Sequence, residues 1–129
     1  MTLIIVCILI VSCLVIIKIK STYYPNKRRE WQAAMLRYKK LQHVSLELQS
    51  RLSRHLSINT TDEITYIYYN KLLSNHDKYL SDYSYDKLKH TRSHSYINKV
   101  KKNLKLQSKE LKTVEKYMSQ LHKQKSLAY

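Results

Sequence analysis

Between Leu3 and Ile17 the chain reads LIIVCILIVSCLVII, fifteen residues without a charge, closed by Lys18 and Lys20. In a bilayer no water reaches the backbone, so such a segment must satisfy its own N–H and C=O groups, and a helix does this within one segment. From Met1 to Ile19 that helix is about 28 Å long, close to a hydrocarbon core of roughly 30 Å once the lysines snorkel outward.

A cleaved signal peptide competes with this reading. It would carry a positive n-region and a small-x-small cleavage site, whereas here apolar residues continue up to the lysines. Ile10-Val11-Ser12-Cys13 resembles a degenerate lipobox, but Leu-Val-Ile-Ile follows Cys13 instead of a polar tether. The sequence therefore predicts a retained single-pass anchor over residues 1–20. Lys18, Lys20, Lys27, Arg28 and Arg29 follow the anchor and no Lys or Arg precedes it. The positive-inside rule then puts the N-terminus outside the cell membrane and the body in the cytoplasm. Tyr23 and Tyr24 fall where aromatic belts sit, and Trp31 is expected to begin the soluble core.

The chain contains no Gly, and its single Pro is Pro25. Glycine-rich phosphate loops and tight primed hairpins need φ > 0 at no steric cost, so both are excluded and helices joined by polar turns remain. Both cysteines, Cys7 and Cys13, lie in the apolar run; six residues apart on a helix, they point roughly 240° apart and cannot bridge each other. The body has no thiol, which excludes cysteine chemistry there.

After Pro25, where the anchor helix is expected to break or bend, apolar residues recur at helical spacing in three blocks. Trp31, Ala34, Tyr38, Leu41, Leu48 and Leu52 form the first stripe, with Ser45 in one core slot and Met35, Val44 and Leu56 widening it. This predicts a helix from about Asn26 to Ser57. Thr60-Thr61-Asp62-Glu63 reads as a capping box opening a second helix to about Tyr83, with Tyr66, Tyr69, Leu73, His76, Leu80 and Tyr83 facing inward. Tyr68 is left outside. Residues 81–95 lose their apolar face and read as a loop, although Leu88 could extend a neighbouring helix. In the last block Ile97, Val100, Leu104, Gln107, Leu111, Val114, Met118 and Leu121 fill successive a and d positions, predicting a helix of roughly 45 Å.

The expected fold is thus all-α: one N-terminal transmembrane helix, then an antiparallel bundle of about three helices with coiled-coil-like packing. Its segments are the anchor (1–20), a juxtamembrane basic segment and first helix (21–57), an acidic-leaning, Tyr-rich middle helix (58–86), and a linker with a basic heptad helix (87–129). The middle segment carries two Lys and five acids, against ten Lys/Arg over residues 18–54 and twelve over residues 87–129. An acidic helix between two basic ones relieves the self-repulsion of a chain with net charge +15.

With Ile97 at a, Lys102, Lys109, Lys116 and Lys123 recur at f, and Lys105 and Lys112 flank them at b. This ridge lies opposite the seam with few acids to neutralise it, Glu115 beside Lys112 being the main one. Anionic lipid or the phosphates of nucleic acid would meet such a row; the few nearby aromatics, Tyr96 and Tyr117, would make nucleic-acid binding non-specific. The Lys27-Arg28-Arg29 cluster with Lys18 and Lys20 reads as an orientation signal. Asp86, His90 and His94 have the spacing of a two-His, one-carboxylate set on a continuous helix, but Lys87, Lys89 and Arg92 crowd them and no metal is expected. No catalytic or cofactor constellation emerges, so the sequence predicts no enzyme. It predicts a membrane-anchored scaffold or adaptor that docks protein partners at the inner face and rests basic faces on anionic lipid, with self-association through the helices open to it. A membrane-tethered nucleic-acid binder is the rival. A third possibility inverts the topology: an exported helical protein of the phage spanin type, anchored at its N-terminus with its helices outside, against which the basic flank of the anchor counts.

Overall fold

The computed structural model describes residues 1–128, apart from the side chains of Thr22, Tyr24 and Pro25; the belt position expected for Tyr24 lies outside the described residues. Four helices follow one another: α1 (Thr2–Ile58), α2 (Glu63–Tyr79), α3 (Asp82–His90) and α4 (His94–Leu127). The described residues contain no strand. The chain divides into two units, residues 1–33 and 34–129.

The first unit is the helix predicted from the apolar run. It is long and apolar enough to cross a membrane. Every Leu, Ile and Val from Leu3 to Ile19 is at least half exposed, so no part of the described chain covers it. Ser12, the one hydroxyl within the run, donates to the carbonyls of Ile8 and Leu9, leaving its polarity satisfied inside the helix. Cys7 and Cys13 are free and exposed.

The break expected at Pro25 is absent, because α1 is helical through that residue. Proline removes one N–H and costs about 3 kcal/mol in a helix interior. Here 23 helical residues precede it and 33 follow, so both flanks exceed the roughly 12–15 residues a helix needs before it is more than marginal.

In the second unit α1, α2 and α4 pack against each other as an antiparallel bundle. Tyr38 reaches Ser81 and His55 reaches Asp62, which sets α2 antiparallel to α1. Asn75 meets Glu110 while Thr65 meets Tyr117, which sets α4 antiparallel to α2. Hence α1 and α4 run in the same direction. The α1 stripe is buried as its spacing predicts, from Ala34 through Tyr38, Leu41, Ser45 and Leu48 to Leu52; Trp31, half-buried, belongs to the first unit. On α4 the buried residues are Val100, Leu104, Gln107, Leu111, Val114 and Met118, all a or d positions.

The middle of the chain departs from expectation in three ways. Asp62, not Thr60, caps α2: its carboxylate accepts from the Thr65 amide at 3.1 Å and the Thr65 hydroxyl at 2.7 Å. A charged cap with two donors outcompetes a threonine hydroxyl. Consequently α2 is rotated, burying Thr65 and Leu72 while Tyr66 points outward. Finally, the predicted loop contains α3. Ser81 caps it by accepting from the Ser84 amide, and the chain there carries two fully buried residues, Leu80 and Leu88. One apolar residue in the right place docks a short helix that has too few for a visible stripe.

Candidate functional site

The lysine ridge of α4 is the candidate surface the heptad register places. At about 100° per residue, Lys102, Lys105, Lys109, Lys112, Lys116 and Lys123 fall within an arc of roughly 80°, on the face opposite the buried seam. All six are exposed. Lys102 and Lys123 stand about 31 Å apart along the axis. None of the six forms an ion pair among the described residues, and the pairing expected between Lys112 and Glu115 is not made. The other acid on α4, Glu110, faces α2 and takes Lys71 at 3.5 Å and the Asn75 amide.

Tyr117 and Tyr96, the aromatics nearest the ridge, are both engaged elsewhere. Tyr117 stacks on Tyr68 at 4.8 Å and shares a 2.7 Å hydrogen bond with Thr65, while Tyr96 lies half-buried beneath Lys87. Tyr68 is therefore not the free surface tyrosine its position suggests; in the middle of the chain Tyr66 and Tyr83 are the exposed ones.

On the first unit, Lys18, Lys20, Arg28 and Arg29 are exposed, and Lys27 lies over the Tyr23 ring at 3.9 Å. By helical geometry Lys18 and Arg29 lie on one side of the axis, Lys20 and Lys27 on the opposite side and Arg28 between them, so the five cations spread over about 200° and do not form a single face. Asp86, His90 and His94 do not share a helix: α3 ends at His90, Ser93 caps α4, and the His90 Nδ1 sits 2.9 Å from the Asp86 carbonyl. No grouping that could hold a metal occurs among the described residues.

A polar seam between α1 and α2 escaped the sequence reading. Gln42, 7 % exposed, donates to the Leu80 carbonyl at 2.9 Å and to Asp82 at 2.8 Å. His76 meets Ser45 at 3.0 Å, as a boundary histidine with a partner. The buried Tyr38 hydroxyl donates to the Ser81 carbonyl at 2.8 Å, and burial pushes its phenol up to about 12. Only the serine in an apolar stripe hinted at this seam.

At the far end of the seam, the Thr65 hydroxyl and amide, and then His55, hold the Asp62 carboxyl below its ordinary value of 3.8. A carboxylate with a depressed folded pKa contributes stability that is present above its unfolded value and lost as pH falls through the folded one. Asp62→Ala is expected to cost about 1–2 kcal/mol at pH 7 and to flatten the loss of stability below pH ~4, read by urea unfolding across that range.

A second surface also went unread. Arg51, Arg54, His55 and Ile58 of α1 and Met118, Leu121, His122 and Lys125 of α4 line a groove of about 320 Å³. Its residues lie some seventy positions apart, so only the parallel run of α1 and α4 brings them together.

No family model matches this chain, and neither a curated protein nor a solved structure matches it.

Proposed function

We propose that this chain is a single-pass membrane scaffold whose helical body works at the inner face of the membrane, docking protein partners and resting its lysine ridge on anionic lipid. The observation that carries this reading is the uncovered apolar helix followed by five cations within twelve residues. Exposed hydrocarbon of that extent calls for lipid, and cations on its C-terminal side favour a cytoplasmic body. Each lysine near an anionic surface contributes about 1 kcal/mol, so six on one stripe give an attraction that a neutral surface would not. Lipid is favoured over nucleic acid because the tyrosines nearest the ridge are already occupied within the bundle and offer no stacking platform.

The body's lack of thiols provides the test. With Cys7 and Cys13 changed to Ser and Ser126→Cys added, an impermeant maleimide should label the chain only after the cells are permeabilised. Labelling in intact cells would reverse the topology and favour the exported, spanin-like arrangement. A fragment beginning at Asn26 should float with phosphatidylserine vesicles and lose that association when Lys102, Lys109 and Lys116 become Gln. Equal flotation of the altered fragment would leave the ridge as ordinary surface.

A further inference from the structure

The groove between the last turns of α1 and α4 combines two features that seldom coincide without a ligand. Its rim is cationic: Arg51 and Arg54 from one helix and Lys125 from the other, with His55 and His122 beside them and no acid among the lining residues. Its wall is apolar: Ile58 is 74 % exposed, Leu121 is half-buried, and Met118 closes the floor. Cations in a helix's last turn are favoured by the helix dipole whatever else they do. An exposed isoleucine one turn beyond Arg54 and two turns beyond Arg51 gains nothing from that dipole. Asp62, the carboxylate bonded to the groove's His55, is also held by Thr65.

We propose that this groove docks an acidic amphipathic helix of a partner protein, its apolar side chains against Ile58, Met118 and Leu121 and its carboxylates on Arg51, Arg54 and Lys125. Charge complementarity selects an acidic partner. The apolar wall selects a side-chain surface over a phosphate chain, which has no hydrocarbon to bury there. Arg and Met are enriched at protein–protein interfaces, Arg because its planar fork pairs with carboxylates and Met because it adapts to the side chain it meets. The groove's volume lies at the lower end of ligand pockets, about 300–1,000 Å³, and suits one or two turns of helix, not a whole domain. The inference rests on the partner-docking part of the proposed function and names that partner's chemistry.

Three methionines make the test local. Full-length protein labelled at its methionine methyl groups, in nanodiscs of zwitterionic lipid, is titrated with a 14-residue helical peptide bearing Leu on one face and Glu on the other. The Met118 methyl resonance should shift while that of Met35 stays, and the Arg51→Glu, Arg54→Glu double variant should weaken binding at least tenfold. Both arginines are exposed, so the fold should tolerate the change; Ile58→Ser, which leaves the charge intact, should weaken binding as well. A Met118 resonance that stays still, or that moves equally for a scrambled peptide, overturns the proposal. So does a single-stranded oligonucleotide or a phosphatidylserine vesicle that shifts Met118 as the peptide does, since phosphate would then be the ligand. A silent Met118 in a chain that still labels from the cytoplasmic side sinks the groove alone, whereas a shifted Met118 in a body exposed outside sinks only the topology.

Discussion

A chain carrying Ile10→Lys and Leu14→Lys is expected in the supernatant of an alkaline carbonate wash, whereas the unaltered chain is expected to stay with the membrane pellet. Both positions lie near the middle of the apolar run and within about 40° of each other around the helix. Thirteen Leu, Ile and Val residues between Leu3 and Ile19 favour insertion by roughly 4–8 kcal/mol in total. Each lysine at the centre of a span opposes it by about 2.5–3.5 kcal/mol, and both substitutions also delete an apolar residue. Two lysines therefore cancel most of the driving force. The control places the same residues at Leu36 and Leu46, which are 76 % and 50 % exposed on the body, and should leave fractionation unchanged. Retention of the double variant in the pellet, with the control behaving alike, would mean that something other than this segment holds the protein to the membrane.

What the sequence disclosed about this fold depended on how many apolar residues each element uses to make its contacts. The apolar N-terminal segment, the α1 stripe and the α4 heptad each repeat their signal over many turns, so a single polar interruption such as Ser45 or Gln107 does not hide them. α2 makes its contacts through polar groups. The charged cap at Asp62 and the buried Thr65 hydroxyl, bonded to Tyr117, fix its rotation, and a periodicity count that rewards Tyr66 and Tyr69 cannot see them. The lysine ridge was legible because it belongs to one helix and a heptad register places its exposed face. By contrast, the groove belongs to two helices far apart in sequence. Arg51 and Arg54 become neighbours of His122 and Lys125 only once α1 and α4 are known to run the same way. Pro25 shows the limit of local rules, because a cost of about 3 kcal/mol is outweighed when long helical stretches flank it on both sides.

Leu88→Ala should be the most damaging single truncation in the middle of the chain, lowering the stability of the body by about 2–5 kcal/mol. For a unit of this size that corresponds to a fall in melting temperature of about 10 °C or more, measurable by circular dichroism. Leu88 is wholly buried and is the only buried residue of α3, a helix of nine residues that could not persist alone. Two outcomes compete: the loss could stay local, freeing α3 while the three long helices hold, or it could spread. The contacts at its start favour spreading. Gln42 of α1 binds both the Leu80 carbonyl and Asp82, Tyr38 binds the Ser81 carbonyl and packs on Tyr85 at 5.4 Å, and Lys39 pairs with Asp82 at 3.7 Å. Undocking α3 would thus take Asp82 from Gln42 and Lys39 and Tyr85 from Tyr38, and would pull on Ser81, whose carbonyl holds the buried Tyr38 hydroxyl, a group that costs roughly 1–3 kcal/mol if left unpaired. Tyr83→Ala, on the same helix but 79 % exposed, should stay within about 0.5 kcal/mol. If Leu88→Ala instead speeds amide exchange only over residues 82–90 and leaves the melting temperature in place, α3 is an independent flap and the seam through Gln42 does not couple it to the bundle.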